Sequence, residues 1–122
     1  LVQPTSPLRK VIHIKNVIKK IVDQKLDSVW TVSKADLKFH PLKQLILKKN
    51  ILSHYNKKGG EIVARQQLNN TYYRNGVVYA VTRELILKNK NLISNKSSGY
   101  LINTPQISID TVKDLKLASQ LM

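Results

Sequence analysis

The sequence predicts an α/β protein with a small inserted arm, and three observations lead there. A Ser6-Pro7 pair opens a run over 7–25 in which apolar residues recur at helical spacing with lysines between them. SVWTV at 28–32 and VVYAV at 77–81 are dense in β-branched and aromatic residues, the composition of buried strands. Between them, 42–64 breaks into short apolar pieces separated by KKN and NKKGG, which is hairpin punctuation.

Each element follows in order. Leu1-Val2 reads as the end of a buried strand running into a Pro-punctuated turn at Gln3–Pro7. Ser6 then serves as N-cap and Pro7 as first residue of a helix over 7–25. Its apolar stripe is Leu8, Val11, Ile12, Val17, Ile18, Ile21 and Val22. Strand end, helix and SVWTV together make a right-handed βαβ unit of a parallel sheet. Leu45-Ile46-Leu47 and Ile51-Leu52 supply the strands of the arm. After 77–81 come a short helix at 82–88 and strand-like pieces at 100–102 and 107–109. Asp110 and Thr111 cap a last helix, with Asp114 at capping-box spacing and Val112, Leu115, Ala118 and Leu121 as its apolar stripe.

Composition narrows the function. A 42% hydrophobic content supports a packed core. The chain has no cysteine, no secretory segment and no apolar run near membrane-spanning length. The expected setting is the cytoplasm, with no membrane partner. The formal net charge is +14, yet of the 21 basic residues only Arg9, Arg65, Arg74 and Arg83 are arginine. Readers of nucleic acid add clustered arginine and stacking aromatics, and here only Tyr72-Tyr73 are adjacent aromatics. Nucleic acid is therefore not the expected partner, although a basic nucleic-acid-binding module stands as an alternative on charge alone. A strand end at residue 1 has no use without its sheet, so the expectation is the C-terminal part of a larger domain.

Four stretches stand out together: QPTSPLR at 3–9, HPLK at 40–43, RQQLNNTYYRNGVVYA at 65–80 and SIDTVKDLKLA at 108–118. In this order and at these intervals they resemble the C-terminal part of the acylneuraminate (CMP-sialic acid) cytidylyltransferase family. The resemblance covers essentially the whole chain. It implies a Rossmann-like nucleotidyltransferase sheet with a dimerisation arm at about 42–70, and a glycine-rich loop for the triphosphate lying before residue 1. Gly59-Gly60 lacks the pattern of that loop. The implied reaction is transfer of CMP from CTP to the 2-hydroxyl of a nonulosonic acid, releasing pyrophosphate, in a homodimer using Mg²⁺ or Mn²⁺. The 122 residues alone are then expected to be inactive. A noncatalytic remnant, or a fragment that only dimerises, is the competing reading.

The resemblance also assigns residues. Arg65 and Lys43 match catalytic cations of the arm that reach toward a neighbouring active site; a planar guanidinium suits a bidentate grip on carboxylate or phosphate. Lys43 otherwise reads as a solvated surface lysine. Gln3, Asn75 and Tyr79 match sugar-pocket residues, whose amide and phenol groups can bond a polyhydroxylated ligand. Leu92 and Ile93 match an apolar pair near the sugar's N-acyl group, or are simply core. Asp110 matches a metal-binding carboxylate, with helix capping as its ordinary role. Ser108 stands where family members carry a second acid, a weaker ligand set for a hard cation. Arg74 lies one place after the position at which some members carry a basic residue. His13, His40 and His54 show no metal-ligand spacing, and His40 is expected to shape the turn before Lys43.

Overall fold

The structure is a computed structural model and describes residues 1–61, 64–88 and 91–122. The chain divides into two compact units, the first made of Leu1–Ser33 with Arg74–Met122 and the second of Lys34–Tyr73.

The first unit is built on a three-stranded sheet. Strand β1 (Ser28–Lys34) is central, between β4 (Tyr72–Val81) and β5 (Ser97–Leu101). β1 and β5 are parallel, in register from Ser28 opposite Ser97 to Val32 opposite Leu101. β4 runs the other way: Thr82 N–H donates to Asp27 O, while Thr31 Oγ1 bonds both the N–H and the carbonyl of Val78. The sheet is thus mixed rather than wholly parallel. The Leu1 main chain exchanges two hydrogen bonds with Tyr79, at 2.7 and 2.9 Å, so Leu1 lies against β4 and does not pair with β1 directly. A reciprocal pair of this kind is antiparallel, which leaves Leu1 parallel to β1 with β4 between them. The expected βαβ crossover is therefore one that skips a strand.

Helix α1 (Val11–Asp23) crosses the sheet and starts later than Ser6-Pro7 predicts. Ser6 is buried and its hydroxyl donates to Gly76 O at 3.1 Å, so it is not available as a cap. His13 takes over, accepting the Lys10 N–H on Nδ1 at 3.2 Å. Burial and the neighbouring Lys10 charge hold its imidazole below the usual histidine pKa. Only one stripe of α1 can face the sheet. Val17 is fully buried with Val29 and Val77, beside Val78 and Ile102, and Ile14 and Ile21 flank them. Val11, Ile12, Ile18 and Val22, expected in the stripe, are exposed. Asn16 Nδ2 ties α1 to β5 by donating to the Tyr100 hydroxyl at 2.8 Å.

Helix α2 (Arg83–Lys88) follows β4 directly, and 107–109 forms no strand among the described residues. Ile109 N–H instead donates to Thr5 O at 2.9 Å, binding this segment to the 3–9 turn. Helix α3 (Val112–Leu121) carries the expected capping box: Thr111 Oγ1 accepts from Asp114 N–H, and the Asp114 carboxylate accepts from the main chain of Asp110 and Thr111. Of its expected apolar stripe only Ala118 is buried; Val112, Leu115 and Leu121 are exposed.

In the second unit β2 (Leu45–Lys48) and β3 (Ile51–His54) form the antiparallel hairpin, with Leu45 opposite His54. Lys49 and Asn50 both adopt positive φ, the tight two-residue turn that suits strand twist. Its apolar residues Leu45, Ile46, Leu47, Ile51 and Leu52 are all exposed.

Candidate functional site

The loop 3–9 and strand β4 build one cleft of about 550 Å³ in the first unit. Arg74, Asn75, Gly76 and Tyr79 of β4 line it, with Leu1, Gln3, Trp30 of β1, Leu92, Ser108 and Asp110. Gln3, Asn75, Tyr79, Leu92, Ser108 and Asp110 come together here from four separate sequence segments.

Local geometry explains how each side chain arrives. Gly76 has φ +77°, a left-handed conformation costly for any other residue type except Asn or Asp. A methyl group there would also stand 2.6 Å from Gln3 Oε1, so the glycine lets the Gln3 amide lie against the strand. Asn75 is buried; its amide donates to Ser33 Oγ at 3.0 Å and its carbonyl accepts from Val77 N–H at 3.3 Å. Among the described residues this leaves one amide hydrogen and one carbonyl lone pair for a ligand. Tyr79 packs on Trp30 with ring centroids 4.8 Å apart and planes tilted by 59°. Its hydroxyl makes no hydrogen bond among the described residues. Ile93 departs from the expected apolar pair: it is half exposed and does not line the cleft, while its neighbour Leu92 does.

Charge in the cleft is sparse and uncompensated. Arg74 has no ion pair among the described residues, and the Asp110 carboxylate accepts no hydrogen bond there. The helix cap next to it is Thr111, so the Asp110 side chain takes no part in capping α3. The hydroxyl and main-chain donors of Thr111, together with the Asp110 main chain, hold the Asp114 carboxyl below its usual pKa. Among the described residues no three His, Cys, Asp or Glu side chains cluster as a metal site. Asp110 with the Ser108 hydroxyl offers hard oxygen donors on one side only. That suits Mg²⁺, which is commonly held by one or two carboxylates plus the phosphates of its substrate.

Lys43 and Arg65 lie in the second unit, where they line a cavity of about 280 Å³ with Leu42, Leu45, His54, Gly59, Ala64 and Leu68. His40 is buried and accepts the Leu42 N–H on Nδ1 at 3.1 Å, capping the short turn Pro41–Lys43. Gly59 packs under that turn, since a methyl group there would meet Leu42 O at 2.5 Å. Arg65 sits 3.7 Å from the Asp36 carboxylate, and both are solvent-exposed.

Trp30 is the cleft residue that the motifs do not reveal. It is the single tryptophan of the chain, and its indole N–H is buried without a partner among the described residues. The signal lies in the strand pattern: Trp30 is half-buried between fully buried Val29 and Thr31 on β1.

No helix among the described residues is long and apolar enough to cross a membrane. No family model matches the chain. The CMP-N,N'-diacetyllegionaminic acid synthase of Legionella pneumophila subsp. pneumophila is 31% identical over 126 aligned positions, covering all of this chain and 52% of that protein. The N-acylneuraminate cytidylyltransferases of Streptococcus agalactiae serotypes III and V are each 28% identical, over 93% of this chain and 27% of theirs. The chain therefore spans about half the length of one curated relative and about a quarter of the others. The chain is thus similar to part of curated proteins named N-acylneuraminate cytidylyltransferase and CMP-N,N'-diacetyllegionaminic acid synthase.

Proposed function

We propose that this chain supplies the sugar side of a cytidylyltransferase that transfers CMP from CTP to the 2-hydroxyl of a nonulosonic acid, releasing pyrophosphate. The observation that carries the reading is the cleft: Gln3, Asn75 and Tyr79 present amide and phenol groups beside the charged side chains of Arg74 and Asp110. Such a lining suits a polyhydroxylated acid better than an apolar ligand. The relatives' names supply the substrate class, N-acylneuraminate or N,N'-diacetyllegionaminate.

Nucleotidyl transfer is in-line attack at the α-phosphorus, where catalysis comes from positioning and from cations on the phosphates. Bound Mg²⁺ or Mn²⁺ would neutralise phosphate charge, and Asp110 is the residue that would hold it, with Ser108 beside it. Asn75 and Tyr79 orient the sugar hydroxyls, and Leu92 gives the N-acyl group an apolar contact. The proposed scaffold is a Rossmann-like nucleotidyltransferase sheet, of which β4-β1-β5 is part. The proposed dimerisation arm, at about 42–70, falls within the second unit, Lys34–Tyr73. Supporting that, a lone two-stranded hairpin is marginal in water, and this one exposes five large apolar side chains. In the dimer, Lys43 and Arg65 of the arm would add cations to a neighbouring active site. The cytoplasm is the proposed setting.

The test is product analysis of the whole gene product with CTP, Mg²⁺ and either nonulosonic acid. A CMP-sugar and equimolar pyrophosphate support the reading. Neither product, at any nonulosonate concentration, contradicts it.

A further inference from the structure

We propose that Arg9 is a positioning residue for the cleft, holding the Gln3 turn against β4 without touching the ligand. The inference rests on the cleft being the nonulosonate pocket. Arg9 does not line the cleft; it acts from behind it. Its Nη1 donates to Gln3 O at 2.7 Å and approaches Val77 O at 3.4 Å. No carboxylate pairs with it among the described residues, so its charge is met by main-chain carbonyl dipoles.

Those two carbonyls belong to the two segments that shape the cleft. The Gln3 carbonyl also accepts Ser6 N–H at 3.4 Å, and Ser6 Oγ in turn donates to Gly76 O at 3.1 Å. The Leu1–Tyr79 main-chain pair adds a further tie three residues along the strand. Arg9 thus bridges residues 3 and 77, directly beside the close approach of Gln3 Oε1 to Gly76. A charged donor makes the stronger hydrogen bonds of such a network. Loss of Arg9 would leave the Gln3 carbonyl only its longer bond from Ser6 N–H and let the Gln3 side-chain amide swing away from Gly76. Small displacements of a binding group are costly in affinity and in rate.

The experiment compares Arg9→Met, Arg9→Lys and Lys15→Met with the parent chain. Lys15 is an exposed cation on α1, so its replacement controls for lost charge. Binding of N-acetylneuraminate is followed by Trp30 fluorescence, and the Gln3 side-chain and Gly76 main-chain amides by ¹⁵N NMR without ligand. The expected result is roughly tenfold weaker binding for Arg9→Met, partial recovery in Arg9→Lys, and no change in Lys15→Met. The Gln3 and Gly76 resonances move in Arg9→Met, while the Val17 and Val29 main-chain amide resonances stay in place. Parent-like binding in Arg9→Met, or unmoved Gln3 and Gly76 resonances, would overturn the proposal. Should the parent chain bind no nonulosonate, the pocket reading fails instead, and the ligand-free resonances still decide whether Arg9 holds the turn.

Discussion

Trp30 and Tyr79 face one another across β1 and β4, with ring centroids 4.8 Å apart and planes tilted by 59°, and both line the same cleft. A tilted pair at this separation has favourable quadrupole geometry. Because the Tyr79 hydroxyl has no partner among the described residues, it adds little to folding and is free to meet a ligand. Tyr79→Phe is expected to keep the melting temperature while weakening nonulosonate binding by about 1 kcal/mol, the worth of one neutral hydrogen bond. Calorimetry for the first and a binding titration for the second check both halves.

Asp110 and Thr111 divide two jobs that the sequence leaves open between them. Since Thr111 caps α3, Asp110→Asn should leave thermal stability unchanged. The same change should lower CMP transfer by the whole protein roughly hundredfold, the cost of losing one electrostatic group at the reacting phosphates. Near-normal turnover in the variant would remove Asp110 from the chemistry.

Thr111→Ala is expected to cost about 1 kcal/mol of stability, as N-cap losses do. Thr111 and the adjacent main chain keep the Asp114 carboxyl below its usual pKa. Its stabilising contribution is therefore complete above the ordinary carboxylate pKa and is lost as pH falls through the depressed value. Comparing thermal melts of the parent and Asp114→Asn between pH 6 and about pH 2 reads this directly: the two curves converge at the acid end.

His13 gives the opposite end of the titration range. Its folded-state pKa lies below the unfolded value because the ring is buried beside Lys10. The unfolded chain thus binds the extra proton first, and stability falls as pH drops below the ordinary histidine pKa. Protonation also removes the Nδ1 acceptor that caps Lys10 N–H. His13→Gln should flatten that part of the pH–stability curve measured by thermal denaturation.

Gly76→Ala is expected to cost roughly 1 to 2 kcal/mol, the penalty of a left-handed backbone for an L-residue. It should also weaken nonulosonate binding, because the added methyl displaces the Gln3 amide. Denaturant melts give the first effect and titration the second.

Much of the fold is legible because it is written locally. SVWTV, VVYAV, the Lys49-Asn50 turn and the Thr111–Asp114 box each contain their own cause within a few residues. The start of α1 is not local: Ser6 looks like a cap, but its hydroxyl is claimed by Gly76 O, seventy residues away in sequence. The place of β4 between Leu1 and β1 is hidden for the same reason, since Leu1 pairs with Tyr79 only in three dimensions. In the cleft, the motif residues point to Gln3, Asn75 and Tyr79, whereas Trp30 belongs to no motif and enters through strand alternation. Ile93 misleads because the chain bends at Asn91 and Leu92, with Ile93 N–H donating to Asn91 Oδ1, and Leu92 takes the cleft side.

The proposed cleft of Gln3, Asn75, Tyr79 and Asp110 for a nonulosonic acid has the single tryptophan in its wall, so titrating the chain's intrinsic fluorescence reads binding there. A saturable change is expected with N-acetylneuraminate or N,N'-diacetyllegionaminate, weakened in Tyr79→Phe, and none with glucose. A flat response to both acids, or a response that Tyr79→Phe and Asn75→Ala leave untouched, would contradict it.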